Sequence, residues 1–149
     1  FAGRGGKLTP EDVDEIVYRD TDYKIYEMTG AISVGNYTKY ASVMAELKAK
    51  GADEMNLLNG LCSYFRTLFE IAALKKSDAD TAAMLGMKEY AVKMSRRQAS
   101  AFTPIRLKKC YAFLNDAING VKRGVLTPEG ALLRANADIF FDLKPNNRT

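Results

Sequence analysis

The stretch SDADTAAMLGMKEYAVKMSRRQAS, residues 77–100, carries the punctuation of two short helices meeting at a tight turn. Ser77 and Asp78 are capping types, because their side-chain oxygens can accept from the unsatisfied N–H groups of a first helical turn. An Ala-rich run follows and then Gly86, the residue type that best tolerates left-handed backbone at a helix end. Beyond it Lys88, Lys93, Arg96 and Arg97 stud a second helix. Ala82, Leu85, Gly86, Met87 and Val92 meet the packing demands of a helix-turn-helix. Reading bases demands more, namely side chains at the start of the second helix that can reach base edges. Those positions hold Lys88, Glu89 and Tyr90, with no Arg, Asn or Gln for a bidentate contact, and Glu89 repels phosphate. Arg96, Arg97 and Gln98 come two turns later, where they reach at most the sugar-phosphate backbone. The spacing predicts a packing corner before it predicts a reading head.

Outward from this corner the chain reads as helices. Thr9-Pro10, Thr103-Pro104 and Thr127-Pro128 each suit an N-cap followed by Pro at the first helical position, where a missing N–H costs nothing. Asp12, three residues after Thr9, comes close to a capping box. Gly30, Gly35, Gly51, Gly86 and Gly124 mark expected helix ends or turns. Apolar residues recur at three and four: Tyr23, Tyr26, Ala31 and Ile32; then Tyr37, Tyr40, Val43, Met44 and Leu47; then Ile105, Cys110, Tyr111, Leu114, Ile118 and Val121. No stretch alternates with period two over a strand's length. The expected fold is all-α, a compact helical bundle with an internal helix-turn-helix-like corner.

One segment stands apart. From Asp53 to about Leu74, DEMNLLNGLCSYFRTLFEIAAL is apolar on most of its circumference, as befits a helix surrounded by others. Met55, Leu58, Leu61, Cys62, Phe65, Leu68, Phe69 and Ala72 form the expected central core. Residues 1–8 are glycine-rich and basic, a tail or linker, and residues 10–19 form a short helix too poor in apolar groups to stand alone. Residues 144–149 are polar and expected to fray.

Composition narrows the function classes. A chain of 149 residues can bury about 68–70% of its unfolded surface without a disulfide or metal. It contains no run of roughly 18 apolar residues, the length a membrane span requires. Its start, Phe-Ala-Gly-Arg-Gly-Gly, is no secretory signal and reads as a cut within a longer protein. Cys62 and Cys110 are expected to be buried free thiols, consistent with a reducing cytoplasm. The chain has no His, no paired Cys motif and no phosphate-binding or nucleophile-elbow glycines. Neither catalysis nor a cofactor nor a metal is expected. Net charge is +4, unevenly placed: residues 75–125 hold eleven basic against four acidic side chains, while the remainder is net acidic. Such asymmetry suits a polyanionic partner or a solvated helical face.

With the helices laid out, longer motifs become legible. In LGMKEYAVKMSRRQASAFTPIRL (85–107), the residues Leu85, Gly86, Tyr90, Ala91, Val92, Lys93, Gln98, Ala99 and Phe102 fall in register with a family pattern. That pattern is similar to the C-terminal collar domain of the delta subunit of the bacterial DNA polymerase III clamp loader. The run DYKIYEMTGAISVGNYTKYASVMAELKAKGADEMNLLNGLCSYFRTLFE (22–70) resembles the family's paired helices closing on a long central one. GVKRGVLTPEGALL (120–133) resembles its ending, and LTPEDVDEIV (8–17) the end of the preceding AAA+ lid. The chain departs from the pattern at Glu89, where Pro is usual, and at Ile118, where an acidic residue is common.

The resemblance implies a domain order of linker and lid over 1–21, helical collar over 22–143 and a tail over 144–149. It implies a non-catalytic subunit of a pentameric ring in the cytoplasm that loads the sliding clamp onto primed DNA, with partners in the ATPase motor subunits and delta-prime. Contact with the sliding clamp falls to an N-terminal AAA+ module outside this chain, and contact with DNA is indirect or weak. The cations Lys93, Arg96, Arg97, Arg106, Lys108 and Lys109 are the candidate interface or DNA-facing residues. The competing reading is a helix-turn-helix-type DNA-binding regulator that uses residues 77–100 directly.

Overall fold

The computed structural model describes residues 23–141, and the expected linker, lid and tail segments lie outside them. Seven helices and no strands make up the described residues. In order they are α1 (described over 23–34), α2 (Tyr37–Ala49), α3 (Glu54–Ala73), α4 (Asp78–Leu85), α5 (Glu89–Ala99), α6 (Pro104–Lys122) and α7 (Pro128–Phe141). None is long and apolar enough to cross a membrane.

Local chemistry sets most of the helix starts. Asp53 accepts from the Asn56 N–H at 2.8 Å while Asn56 Oδ1 accepts from the Asp53 N–H at 3.0 Å, a reciprocal capping box that starts α3. Glu54, in the same first turn, has its carboxyl held below the usual carboxylate range by a backbone N–H and by Lys48. Thr103 Oγ1 accepts from the Arg106 N–H at 3.0 Å, with Pro104 at the first helical position of α6. Thr127 repeats the arrangement for α7, accepting from the Gly130 N–H at 3.0 Å. Two of the three Thr-Pro signals therefore start helices, and Thr9-Pro10 lies outside the described residues.

The central helix is α3. It packs against α5, α6 and α7, and Leu58, Leu61, Phe65 and Leu68 are wholly removed from solvent. Phe65 meets Phe102 edge to face, with ring centroids 5.5 Å apart. Several expectations need correction, and Tyr23 and Tyr37, read in the apolar stripes of α1 and α2, are among them, each about half exposed. Phe69 is 39% exposed, because Leu68 and Ile71 take the inward positions at that end of α3. Ile105 is 66% exposed, because the inward series of α6 runs through Leu107, Cys110 and Leu114, and a residue two positions from Leu107 points about 200° away. Gly30 ends nothing; α1 continues through it to residue 34.

Two polar links, one buried and one partly buried, hold outer helices to the bundle. Tyr40 of α2 donates to Asn136 Oδ1 of α7 at 2.6 Å, walled in by the ring of Phe140. Burial pushes the Tyr40 hydroxyl above its ordinary value of 10.0. A group raised in the folded state contributes stability that is full below its unfolded pKa, so alkaline unfolding should begin as pH rises past that value. Replacing Tyr40 by Phe is expected to cost about 1–3 kcal/mol, because it strands a buried acceptor, and to flatten this alkaline limb. Denaturant melts of both proteins at neutral pH and above pH 10 check both effects. The second link joins α5 to α1: Gln98 Nε2 donates to the Tyr26 carbonyl at 2.9 Å. Gly30 makes room for it, since a Cβ there would stand 3.3 Å from the same nitrogen.

Candidate functional site

The α4–α5 corner is built as its sequence suggests. Ser77 Oγ accepts from the Asp80 N–H at 3.1 Å and starts α4. Gly86 ends it in the left-handed region, φ 68° and ψ 33°, and the Met87 N–H returns to the Ala82 carbonyl at 2.9 Å. A residue with a Cβ is strained in that backbone, which is why the turn needs glycine. Val92 and Ala82 pack on Ile71 near the end of α3, with Leu85 and Met87 beside them. This small cluster is separate from the main core around Leu61 and Phe65.

Arg96 closes the corner from outside. Its Nε donates to Asp78 Oδ1 at 2.9 Å, and its Nη2 donates to the Lys76 carbonyl at 3.0 Å and to Thr81 Oγ1 at 3.2 Å. The guanidinium thus ties α5 to the first turn of α4 and to the segment before it. Because Asp78 and Asp80 also sit at the positive end of the α4 dipole, the acidic start of that helix is stabilised twice.

The other candidate cations take different places. Lys93 and Arg97 are exposed one turn apart on α5, and Tyr90, 66% exposed, extends the same face by another turn. Arg106 is drawn inward, its Nη2 donating to the Ile139 carbonyl in the final turn of α7 at 3.1 Å. Lys108 is exposed on α6 and Lys109 is half-buried. The six therefore divide between two helices: α5 lies against α3 and α4, and α6 against α3 and α7. Two of them, Arg96 and Arg106, serve internal links.

Lys88, Glu89 and Tyr90 stand exposed at the start of α5, where a DNA-reading helix would place its base contacts. Lys88 provides no side-chain cap for that helix. The geometry of a helix-turn-helix is present without its reading chemistry. Sequence reasoning did not assign the Arg96 clamp or the Gln98 link. The signal for Gln98 was its place among Val92, Ser95 and Ala99, the buried face of α5. Nothing local distinguishes Arg96 from Arg97, because their partners lie on another helix.

Comparison with known families settles what kind of domain this is. Residues 22–133 match the family described as DNA polymerase III delta subunit, C-terminal domain. This chain belongs to that family. The delta C-terminal domain is also similar in structure to the Bacillus subtilis DNA clamp loader delta protein (YqeN), with a TM-score of 0.74 at 18% sequence identity. The similarity covers 87% of this chain and 39% of that one, so the domain spans well under half the length of its structural relative. Among curated proteins no sequence match is found.

Proposed function

We propose that the domain is the collar of a clamp-loader delta subunit, a non-catalytic helical unit of a cytoplasmic replication complex. It packs against the neighbouring ATPase motor and delta-prime subunits, while the rest of the subunit engages the sliding clamp during its loading onto primed DNA. The match to the delta C-terminal family over residues 22–133 carries this reading. The physical support is a bundle packed around α3 whose outer helices are tied to one another, α2 to α7 and α5 to α1, a body suited to holding subunits together while others move.

Within this reading the exposed cations Lys93, Arg97 and Lys108, with the half-buried Lys109, are the interface or DNA-facing groups, and Arg96 and Arg106 act through the folds they secure. Reversing charge with Lys93→Glu and Arg97→Glu is expected to weaken association with the motor and delta-prime subunits about tenfold, since paired rim charges each contribute modestly. Co-purification and sedimentation of the reconstituted complex provide the measurement. Wild-type assembly by this double variant would remove α5 from the interface.

The DNA-binding regulator reading makes a different demand. The isolated chain would then prefer one duplex sequence and lose affinity steeply between low and moderate salt. Weak, sequence-independent binding together with capture of the motor subunits supports the collar.

A further inference from the structure

We propose that the seam between α3 and α6 is a docking groove for an acidic peptide segment of a partner protein. The two helices lie side by side there, and a cavity of about 240 Å³ opens between them. Asn59, Ser63 and Arg66 of α3 form one wall, and Tyr111, Asn115 and Lys122 of α6 the other. Cys62 and Ile118 also line it; both are buried, which places them at its floor. The lining carries two cations, two amides and two hydroxyls, and no acidic side chain.

This chemistry selects an anion, and the spacing selects a peptide. The cavity is smaller than the ~300–1,000 Å³ usual for cofactor-sized ligands, and it lacks their apolar lining. From Asn59 to Arg66 the groove follows α3 for about 10 Å at 1.5 Å per residue, the length of about three residues of extended chain. Lys122 stands at the far end of the α6 wall, eleven positions from Tyr111. Amide and hydroxyl groups between the two ends both donate and accept, as peptide N–H and C=O groups require. Phosphate oxygens only accept and would leave the amide oxygens unmatched. Tyr111 is the sole aromatic of the lining, which offers no ladder for stacked bases.

Arg66 can take a further carboxylate. Its Nε meets Glu70 Oε2 at 3.3 Å, an exposed one-turn pair that contributes little, and both Nη groups have donors to offer. Burial pushes the Cys62 thiol up, and the group reports occupancy without taking part in binding.

Titration of the isotope-labelled chain with hexaglutamate at low salt tests the assignment. Amide signals of Ser63 and Asn115 and the side-chain amide of Asn59 are expected to shift, and the reaction of Cys62 with a thiol reagent to slow. Arg66→Glu with Lys122→Glu, both at exposed positions, is expected to weaken binding about tenfold. Lys93→Glu with Arg97→Glu, on α5, is expected to leave it within about twofold. Absence of binding, or an equal loss in the α5 variant, overturns the proposal in favour of diffuse charge attraction. Tighter binding of a thymidine hexanucleotide at the same signals overturns it in favour of nucleic acid. The test does not depend on collar assembly, so its failure leaves that reading untouched.

Discussion

Phe65→Ala is expected to destabilise the domain by about 3–5 kcal/mol. Phe65 is fully buried at the middle of α3 and sets its ring edge to face with Phe102, in the turn between α5 and α6. Truncation removes the ring's burial, deletes the aromatic pair and opens a cavity in a close-packed interior. For a domain of this size that loss lowers the melting temperature by about 10–20 °C. Phe69→Ala provides the control. Four residues on, with a partly exposed ring, it should cost well under half as much. Calorimetry of the two variants tests which side of α3 faces inward; a larger loss from Phe69→Ala would falsify the orientation.

Arg96→Met is expected to cost about 2 kcal/mol, through a different route. The substitution keeps helix propensity and much of the stem's apolar contact while removing three hydrogen bonds, one of them to a carboxylate. Thr81, with no solvent exposure, loses the donor to its hydroxyl oxygen, and Asp78 loses its partner. Because the corner rests on its own small cluster, the damage should concentrate there. Hydrogen exchange is expected to speed in α4 and α5 while α6 and α7 keep their protection. Arg97→Met, one residue along on the exposed side, should leave exchange unchanged. Combining Arg96→Met with Asp78→Asn gives a cycle whose coupling isolates the ion pair. If Arg96→Met speeds exchange evenly across all helices, the two clusters form one cooperative unit.

These contrasts show what the chain made legible and what it withheld. Helix starts are local chemistry, so Ser77, Thr103 and Thr127 could be read directly. The corner was readable for the same reason: Gly86 alone can supply its backbone. Phase was harder. Ile105 and Phe69 extend apolar runs, and only the neighbouring helices decide which residue of a run turns inward. The candidate site was least legible, because Arg96 differs from Arg97 solely in what lies across from it, Asp78 on α4, and Arg106 is drawn in by the distant Ile139 carbonyl on α7. A side chain's partner at long sequence separation leaves no mark on its own segment. Family resemblance supplied the function, since no pattern of ionisable groups points to a reaction.

The shared use of α3 has a mechanical consequence. One stiff rod of 20 residues, about 30 Å long, serves both clusters, with Leu57 and Leu58 near one end and Ile71 near the other. Tilting such a rod by about 5° about its middle moves each tip by about 1 Å. Strain applied at the α4–α5 corner would thus be delivered, with little loss, beside the turn that joins α2 to α3. The domain would act as a lever whose fulcrum is the ring contact between Phe65 and Phe102.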